Sequence, residues 1–271
     1  MSDPTPTVDQ GYSVPPVQRA ITLLRHIAGG ARCRNLSRSA KELGINRTTL
    51  IRLIHTLAAE GMIEEIDEGA GWRLGPGLIA LAGEAMTARG VVEVTRPILQ
   101  RLVKSLSLSA HLGIRHGRDI IYLARETPNA HLVSNVREGT RLPAHATTIG
   151  RILLADLPPA EVATLYADAE LEAYSEKTRT TLASLQAQLA EDRAQGIARS
   201  VGNFEPGIGS CAVAVFDHRG RAVAAINVTG NAADFVLPGT FAERIEREAK
   251  QAAMDASIAM GYRPRPDQVQ A

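Results

Sequence analysis

Cysteine is scarce in this chain, an excess of either charge is absent, and long apolar runs are missing. Only Cys33 and Cys211 occur among 271 residues. They are far apart and in no metal-ligand spacing, which excludes a zinc finger and a disulfide scaffold and suits a reducing, cytoplasmic setting. No apolar stretch approaches the roughly 18 to 20 residues that cross a bilayer. The polar start MSDPTPTVDQGYSVPP has neither the basic nor the apolar part of a secretion signal, so no membrane partner is expected. A net charge of +1 argues neither for nor against nucleic acid. What is present is near the globular average, 45% hydrophobic and 22% charged, at a length that suits two domains.

Charge is unevenly distributed along the chain. Between Arg19 and His55 stand Arg19, Arg25, Arg32, Arg34, Arg38, Lys41, Arg47 and Arg52 against the single acid Glu42, a local net of +7. Glu60, Glu64, Glu65, Asp67 and Glu68 follow without a base. A concentrated basic segment in a neutral protein is a phosphate-binding footprint, although an ordinary solvated surface would show the same letters.

Residues 1–13 read as a disordered arm. Pro15 and Pro16 then open a helix with Val17, Ala20, Ile21, Leu24 and Ile27 or Ala28 on its apolar face, stopped by Gly29-Gly30. Ser37 is expected to cap a second short helix that ends at Gly44. Asn46 is expected to cap a third, with Leu50, Leu53, Ile54 and Leu57 inward and Thr48, Arg52 and His55 on the opposite side. Met62–Ile66 and Trp72–Leu74 read as two strands around the turn at 67–71. The composite is a winged helix-turn-helix over 14–75. A linker helix over 76–90 has Leu78, Leu81, Ala82 and Ala85 on one side and is broken by Gly90.

From 91 to 264 strands mix with helices. Hairpins are expected at 111–124 and 211–228, and helices at 147–156, 159–167 and 178–195. A long helix after Pro238 places Phe241, Ile245, Ala249, Ala252 and Ala256 inward. The fold class is α+β: a winged helix-turn-helix followed by an α/β domain on an antiparallel sheet, with a tail from 265.

Several short patterns fail in context. Seven histidines invite a metal, but no Cys or acidic partner stands at ligand spacing, so no metal or cofactor is expected. Gly207-Ile208-Gly209-Ser210-Cys211-Ala212 spells a dinucleotide fingerprint, yet a polar loop precedes it and an apolar strand follows. Ser210 is not in a nucleophile elbow, and Cys211 heads an apolar strand where a thiol is inert. The helix-turn-helix is more specific. Asn46-Arg47-Thr48-Thr49 begins a helix where it would enter a major groove, with Arg52 and His55 further along and Ser37 and Arg38 on the preceding helix. A winged helix also serves as a protein-interaction module, and the basic segment favours DNA over that reading.

The chain resembles the IclR family of bacterial transcription regulators. The resemblance covers about 14–262. It rests on AITLLRHIA, LSRSAKELGINRTTLIRLIHTLAAEGMIE and GWRLGPGLIALA in the first domain. In the second it rests on TRLPAHATTIGRILLADLP, on the run from Gly196 to Ser200, and on GIGSCAVAVFDHRGRAVAAINVTG. It implies a GAF-like effector domain, double-stranded operator DNA and a small-molecule effector as partners, a homodimer or tetramer, and control of operons for breakdown of small organic or aromatic acids. The family's effector pocket maps onto Ser134, Leu142, Thr148, Ile149, Ser200, Ile208, Ser210, Asn227 and Thr229, with His131 beside them. Where some relatives carry an acid, this chain has neutral Ser200, followed by Val201-Gly202-Asn203. The rival reading is a small-molecule, hydrolase-like enzyme with an appended winged helix.

Overall fold

A computed structural model describes residues 13–67, 69–129 and 136–263. The expected tail, all of the expected arm but Ser13, Glu68 of the wing, His131 and Ser134 lie outside the described residues. The chain forms two compact units, Met1–Ala88 and Arg89–Ala271.

In the first unit α1 (Pro15–Ala28), α2 (Leu36–Glu42) and α3 (Arg47–Ala59) surround a core of Leu23, Ile27, Ala40, Leu50, Ile54, Leu57 and Ile63. The prolines occupy the first turn of α1, where a missing N–H costs no intrahelical bond. Gly44 turns the chain between α2 and α3 at φ +64°, a left-handed conformation that suits glycine. Strands β1 (Ile63–Ile66) and β2 (Gly71–Leu74) pair antiparallel as the wing. Trp72 N donates to Arg32 O at 2.8 Å and Arg34 Nε to Ala70 O at 2.7 Å, pinning the wing to the α1–α2 connection. Trp72 itself packs at the core's edge. Helix α4 (Pro76–Arg89) follows.

Three local readings are corrected. The cap of α2 is Asn35, whose Oδ1 accepts from Arg38 N at 3.0 Å; Ser37 lies inside the helix. Asparagine and serine cap comparably, so letters alone do not separate positions two apart. On α1 the buried residues are Leu23 and Ile27, while Val17 and Ile21 are exposed. A core this small reaches only the second half of the helix. On α4 Leu78 is half-buried, but Ile79, Leu81 and Ala82 face solvent, Ile79 at 75% exposure.

The second unit begins with α5 (Val91–Leu106), whose N-cap Gly90 has φ +63°. Its sheet has β3 (Ser109–His116), β4 (Asp119–Glu126), β5 (Arg141–Pro143), β6 (Ala198–Val201), β7 (Ile208–Phe216) and β8 (Ala222–Asn231). They lie antiparallel in the order β5-β4-β3-β8-β7-β6. Helices α6 (Thr148–Ala155), α7 (Pro159–Leu165) and α8 (Leu182–Gln195) share one apolar cluster, to which the sheet contributes Ile120, Tyr122 and the alanines at 198, 212, 214 and 225. Alternation sends neighbouring residues to opposite faces. Arg199 therefore pairs with Glu246 of α9 (Thr240–Ala259), while Ser200 faces the α6 side.

Every residue of α6 is buried. A Cβ at Gly150 would stand 2.2 Å from the Ala144 backbone, so glycine permits the approach of this helix to the loop before it. Arg151 is held by Asp192 of α8 through Nε–Oδ2 at 2.9 Å and a second bond at 3.0 Å, and it also donates to Arg199 O at 2.8 Å. Two further expectations shift. Helix α8 starts at Leu182, capped by Thr181, because the Thr178 hydroxyl is used in the loop and donates to Asn203 O at 2.7 Å. Phe241 is at the surface, and the buried side of α9 runs through Ala242, Ile245, Ala249, Ala252, Ala253 and Ala256.

Candidate functional site

Two surfaces carry chemistry, one in each unit. On α3 the apolar stripe faces the core, so Arg47, Thr48, Arg52 and His55 are exposed along the other side. Arg47 and Arg52 have no acidic partner among the described residues, and neither arginine has a neutralised charge. Asn46 Oδ1 accepts from Thr49 N at 2.7 Å, so its amide oxygen is committed to capping the helix. Arg38 donates to Glu42 Oε1 at 2.8 Å, which spends part of its charge within α2; Ser37 is exposed beside it. Arg47 and Arg52 thus keep free positive charge on the outer side of α3.

The second surface is a small cavity between the sheet and the start of α6, about 80 Å³ in volume. Its floor follows from strand register. Ser200 faces Ser210 across β6 and β7, Ser210 faces Thr229 across β7 and β8, and one step along Asn227 faces His111 across β8 and β3. Thr148 closes over this row, its hydroxyl 3.1 Å from that of Ser210. Thr147 caps α6 by accepting from Gly150 N at 3.2 Å, and the positive end of the helix borders the cavity. Leu142 and Ile208 supply apolar wall. These positions meet at one place: Leu142, Thr148, Ser200, Ile208, Ser210, Asn227 and Thr229 all line it.

Ile149 does not. It is fully buried beneath the sheet, with methyls 3.1 Å from where a Cβ at Gly113 would stand. One residue along a helix is a turn of about 100°, so with Thr148 toward the cavity Ile149 points into the core.

Other wall residues were not evident in the sequence: His111, Tyr122, Phe204 and Glu205. Phe204 and Glu205 stand on the loop after β6. That loop is held by the segment 174–178, where Ser175 Oγ donates to Asn203 O at 2.9 Å, Lys177 Nζ donates to Val201 O at 2.8 Å, and Tyr174 stacks on Phe204 at 4.8 Å. Glu205 is exposed, so the cavity has a carboxylate at its mouth although Ser200 at its floor is neutral.

His111 is buried, with Nδ1 2.8 Å from Asn227 Oδ1. Burial, with Arg125 nearby opposing further positive charge, pushes its pKa down to about 4, so the ring is neutral near pH 7. Cys211 lies fully inside the sheet and burial pushes its thiol up to about 12, the opposite of what a nucleophile needs. Among the described residues no helix is long and apolar enough to cross a membrane, and no group of three or more His, Cys, Asp or Glu residues is placed to hold a metal.

Comparison with known proteins matches both units to domains of one family. The IclR helix-turn-helix domain matches residues 16–67, and the bacterial transcriptional regulator IclR C-terminal domain matches residues 83–258. The regulator BhcR of Paracoccus denitrificans is 31% identical over 214 residues, 79% of this chain and 76% of that protein. The regulator XynR of Escherichia coli is 29% identical over 249 residues, 91% of this chain and 97% of its own length. Among solved structures, an IclR homolog from Microbacterium hydrocarbonoxydans, in complex with 4-hydroxybenzoate, superposes with a TM-score of 0.78. It is 20% identical and covers 90% of this chain and 98% of that one, a likeness of fold. The family domains together span most of both units, and the named relatives are regulators; the chain belongs to the IclR family of transcriptional regulators.

Proposed function

We propose that this regulator reads operator DNA through α3 and that a compact organic acid, bound in the cavity beside α6, controls that reading. The observation that supports the DNA half is the pair of unpartnered arginines, Arg47 and Arg52, on the exposed side of a capped helix. Supporting the effector half are the hydroxyls of Thr148, Ser200 and Ser210 beside a helix N-terminus, a donor-rich surface suited to an anion. Glu205 opposes an anion only from the exposed mouth, where solvent screens it. The aromatic edges of His111, Tyr122 and Phe204 favour a planar or aromatic acid. The 4-hydroxybenzoate bound by the Microbacterium relative is in keeping with that class. Control requires the effector to bind one arrangement of the regulator more tightly than the other. In this reading the helix over 76–90 carries the difference to the spacing of two DNA-reading helices.

Arginine substitution tests the DNA half. Arg47→Ala or Arg52→Ala should cost about 1 to 3 kcal/mol and relax specificity if the residue reads a base. A phosphate contact would instead reduce the slope of affinity against salt by about one. Mobility-shift titrations at two salt concentrations separate these outcomes, and unchanged affinity in both variants removes α3 from the interface.

A second expectation concerns assembly. One helix-turn-helix reads too few base pairs to find a genomic site, and a two-fold dimer reads two half-sites about one helical turn apart. Val14, Val17 and Ile21 on α1 and Ile79 and Leu81 on α4 leave apolar surface that the unit does not bury. We assign these helices to the dimer contact. Ile21→Glu combined with Ile79→Glu should shift light scattering from dimer toward monomer and weaken operator binding. A strict monomer in the unaltered protein, binding DNA as a monomer, contradicts the assignment.

A further inference from the structure

Resting on the effector cavity proposed above, we propose that His111 reads a hydroxyl on the effector, so that the controlling ligand is a hydroxy acid with its carboxylate toward α6 and its hydroxyl toward β3. His111 is 1% exposed, lines the cavity, and lies across the strand register from Asn227. Asn227 Oδ1 has only lone pairs to offer, so the 2.8 Å contact requires that His111 Nδ1 carry the proton and donate it. In the neutral ring Nε2 then presents a lone pair and can only accept. That atom is buried and has no hydrogen-bond partner among the described residues. Most buried polar atoms in native proteins are paired, and leaving one unpaired is costly unless something else supplies the partner.

Among the described residues no donor of the cavity is bonded to Nε2. Thr148 and Ser210 hydrogen-bond each other, the Thr229 hydroxyl donates to Gly209 O at 3.1 Å, and the Ser200 hydroxyl oxygen accepts from Asn203 N at 3.1 Å. The titratable groups nearest the ring are Tyr122 and Arg125 on β4, with Glu205 at the mouth; α6 contributes only Thr147 and Thr148. Burial, with Arg125 adding to it, disfavours a second proton on the ring, which keeps Nε2 an acceptor. The cavity is therefore polarised. Its α6 side offers donors to an anion, and its β3 side holds one buried acceptor suited to an O–H. A ligand with a carboxylate and no hydroxyl satisfies the first and leaves the second unpaired. Sites built to bond a hydroxyl discriminate strongly against the analogue that lacks it.

The test uses matched pairs differing by one hydroxyl: 4-hydroxybenzoate and benzoate, glycolate and acetate, lactate and propionate. Titration calorimetry on the full chain should show, for the pair that fits, the hydroxy member bound at least ten-fold tighter. In His111→Phe that preference should fall to within about two- to three-fold, with the deoxy member little changed. His111→Gln, which keeps a carbonyl acceptor, should retain part of the preference and guards against a Phe variant that fails to fold. Ser210→Ala should weaken both members of the pair alike. A preference that survives His111→Phe in a folded protein, equal binding of both members by the unaltered protein, or no binding of any member overturns the proposal. Mobility shifts on operator DNA separate it from the reading on which it rests. Hydroxyl-dependent binding with no change in DNA affinity leaves His111 as the reader and removes effector control. DNA affinity that responds to other compounds and ignores hydroxy acids does the reverse.

Discussion

Removing the guanidinium of Arg151 should destabilise the second unit by about 3 to 5 kcal/mol, the usual consequence of leaving a buried charge without its partner. Arg151 and Asp192 are 2% and 3% exposed and joined by two hydrogen bonds, so neither has water to fall back on. Burial raises the Asp192 carboxyl above its ordinary range even against the adjacent arginine, which shows how much this site disfavours charge. In Arg151→Ala only Gln188, at 3.2 Å, would remain to bond Asp192. Replacing both members with apolar side chains, Arg151→Met with Asp192→Leu, should cost much less than the two single losses added together. Denaturant unfolding followed by circular dichroism measures this. Trp72, the one tryptophan, lies in the first unit and reports that unit separately by fluorescence. A loss below 1 kcal/mol in Arg151→Ala would mean that the pair is not sealed from water. The pair also anchors α6, whose first turn borders the effector cavity, so the single variants should bind effector more weakly as well.

The second large effect is a pH dependence. His111 has an ordinary value of 6.5 in the unfolded chain and about 4 when folded, so between these values the unfolded state binds the extra proton. Its contribution is fully present above pH 6.5 and is lost as pH falls toward 4. The total is about 3 kcal/mol, taken from the difference between the two values. Depressed carboxyls such as Asp217 and Glu248 also lose stabilisation in acid. The informative quantity is therefore the difference between the native protein and His111→Gln, in which those groups are common to both. That difference should narrow steadily from pH 6.5 to pH 4 in favour of the variant. Parallel stability curves would show that His111 protonates freely in the folded state.

Much of the first unit is legible in the letters because its helices are short, capped and amphipathic. Asn46 and the Leu50, Ile54, Leu57 stripe are readable by eye. What periodicity does not reveal is whether an apolar face is covered by its own chain. Val17 and Ile21 satisfy the same pattern as Ile27 but stay exposed, and the buried Leu23 falls outside that pattern. In the second unit the resemblance located the hydroxyl-lined floor, and strand register explains why Ser200, Ser210, Thr229 and Asn227 converge. In the letters His111 is one of seven histidines with nothing to set it apart. Its meaning depends on Asn227, 116 residues away, and β3 is buried along most of its length, so no polar alternation marks the ring as special. Phe204 and Glu205 sit on an irregular loop, and their place at the cavity depends on bonds to Ser175, Lys177 and Thr178 that no spacing encodes.

Recognition of a specific duplex sequence by α3 is the function proposed for the first unit. It is tested most directly by selecting duplexes from a random pool with the full-length protein and repeating the selection with Arg47→Ala/Arg52→Ala. Enrichment of an inverted repeat whose half-sites lie about one helical turn apart is expected, with loss of that enrichment in the variant. A pool that stays unselected, or the same repeat recovered by both proteins, would contradict it.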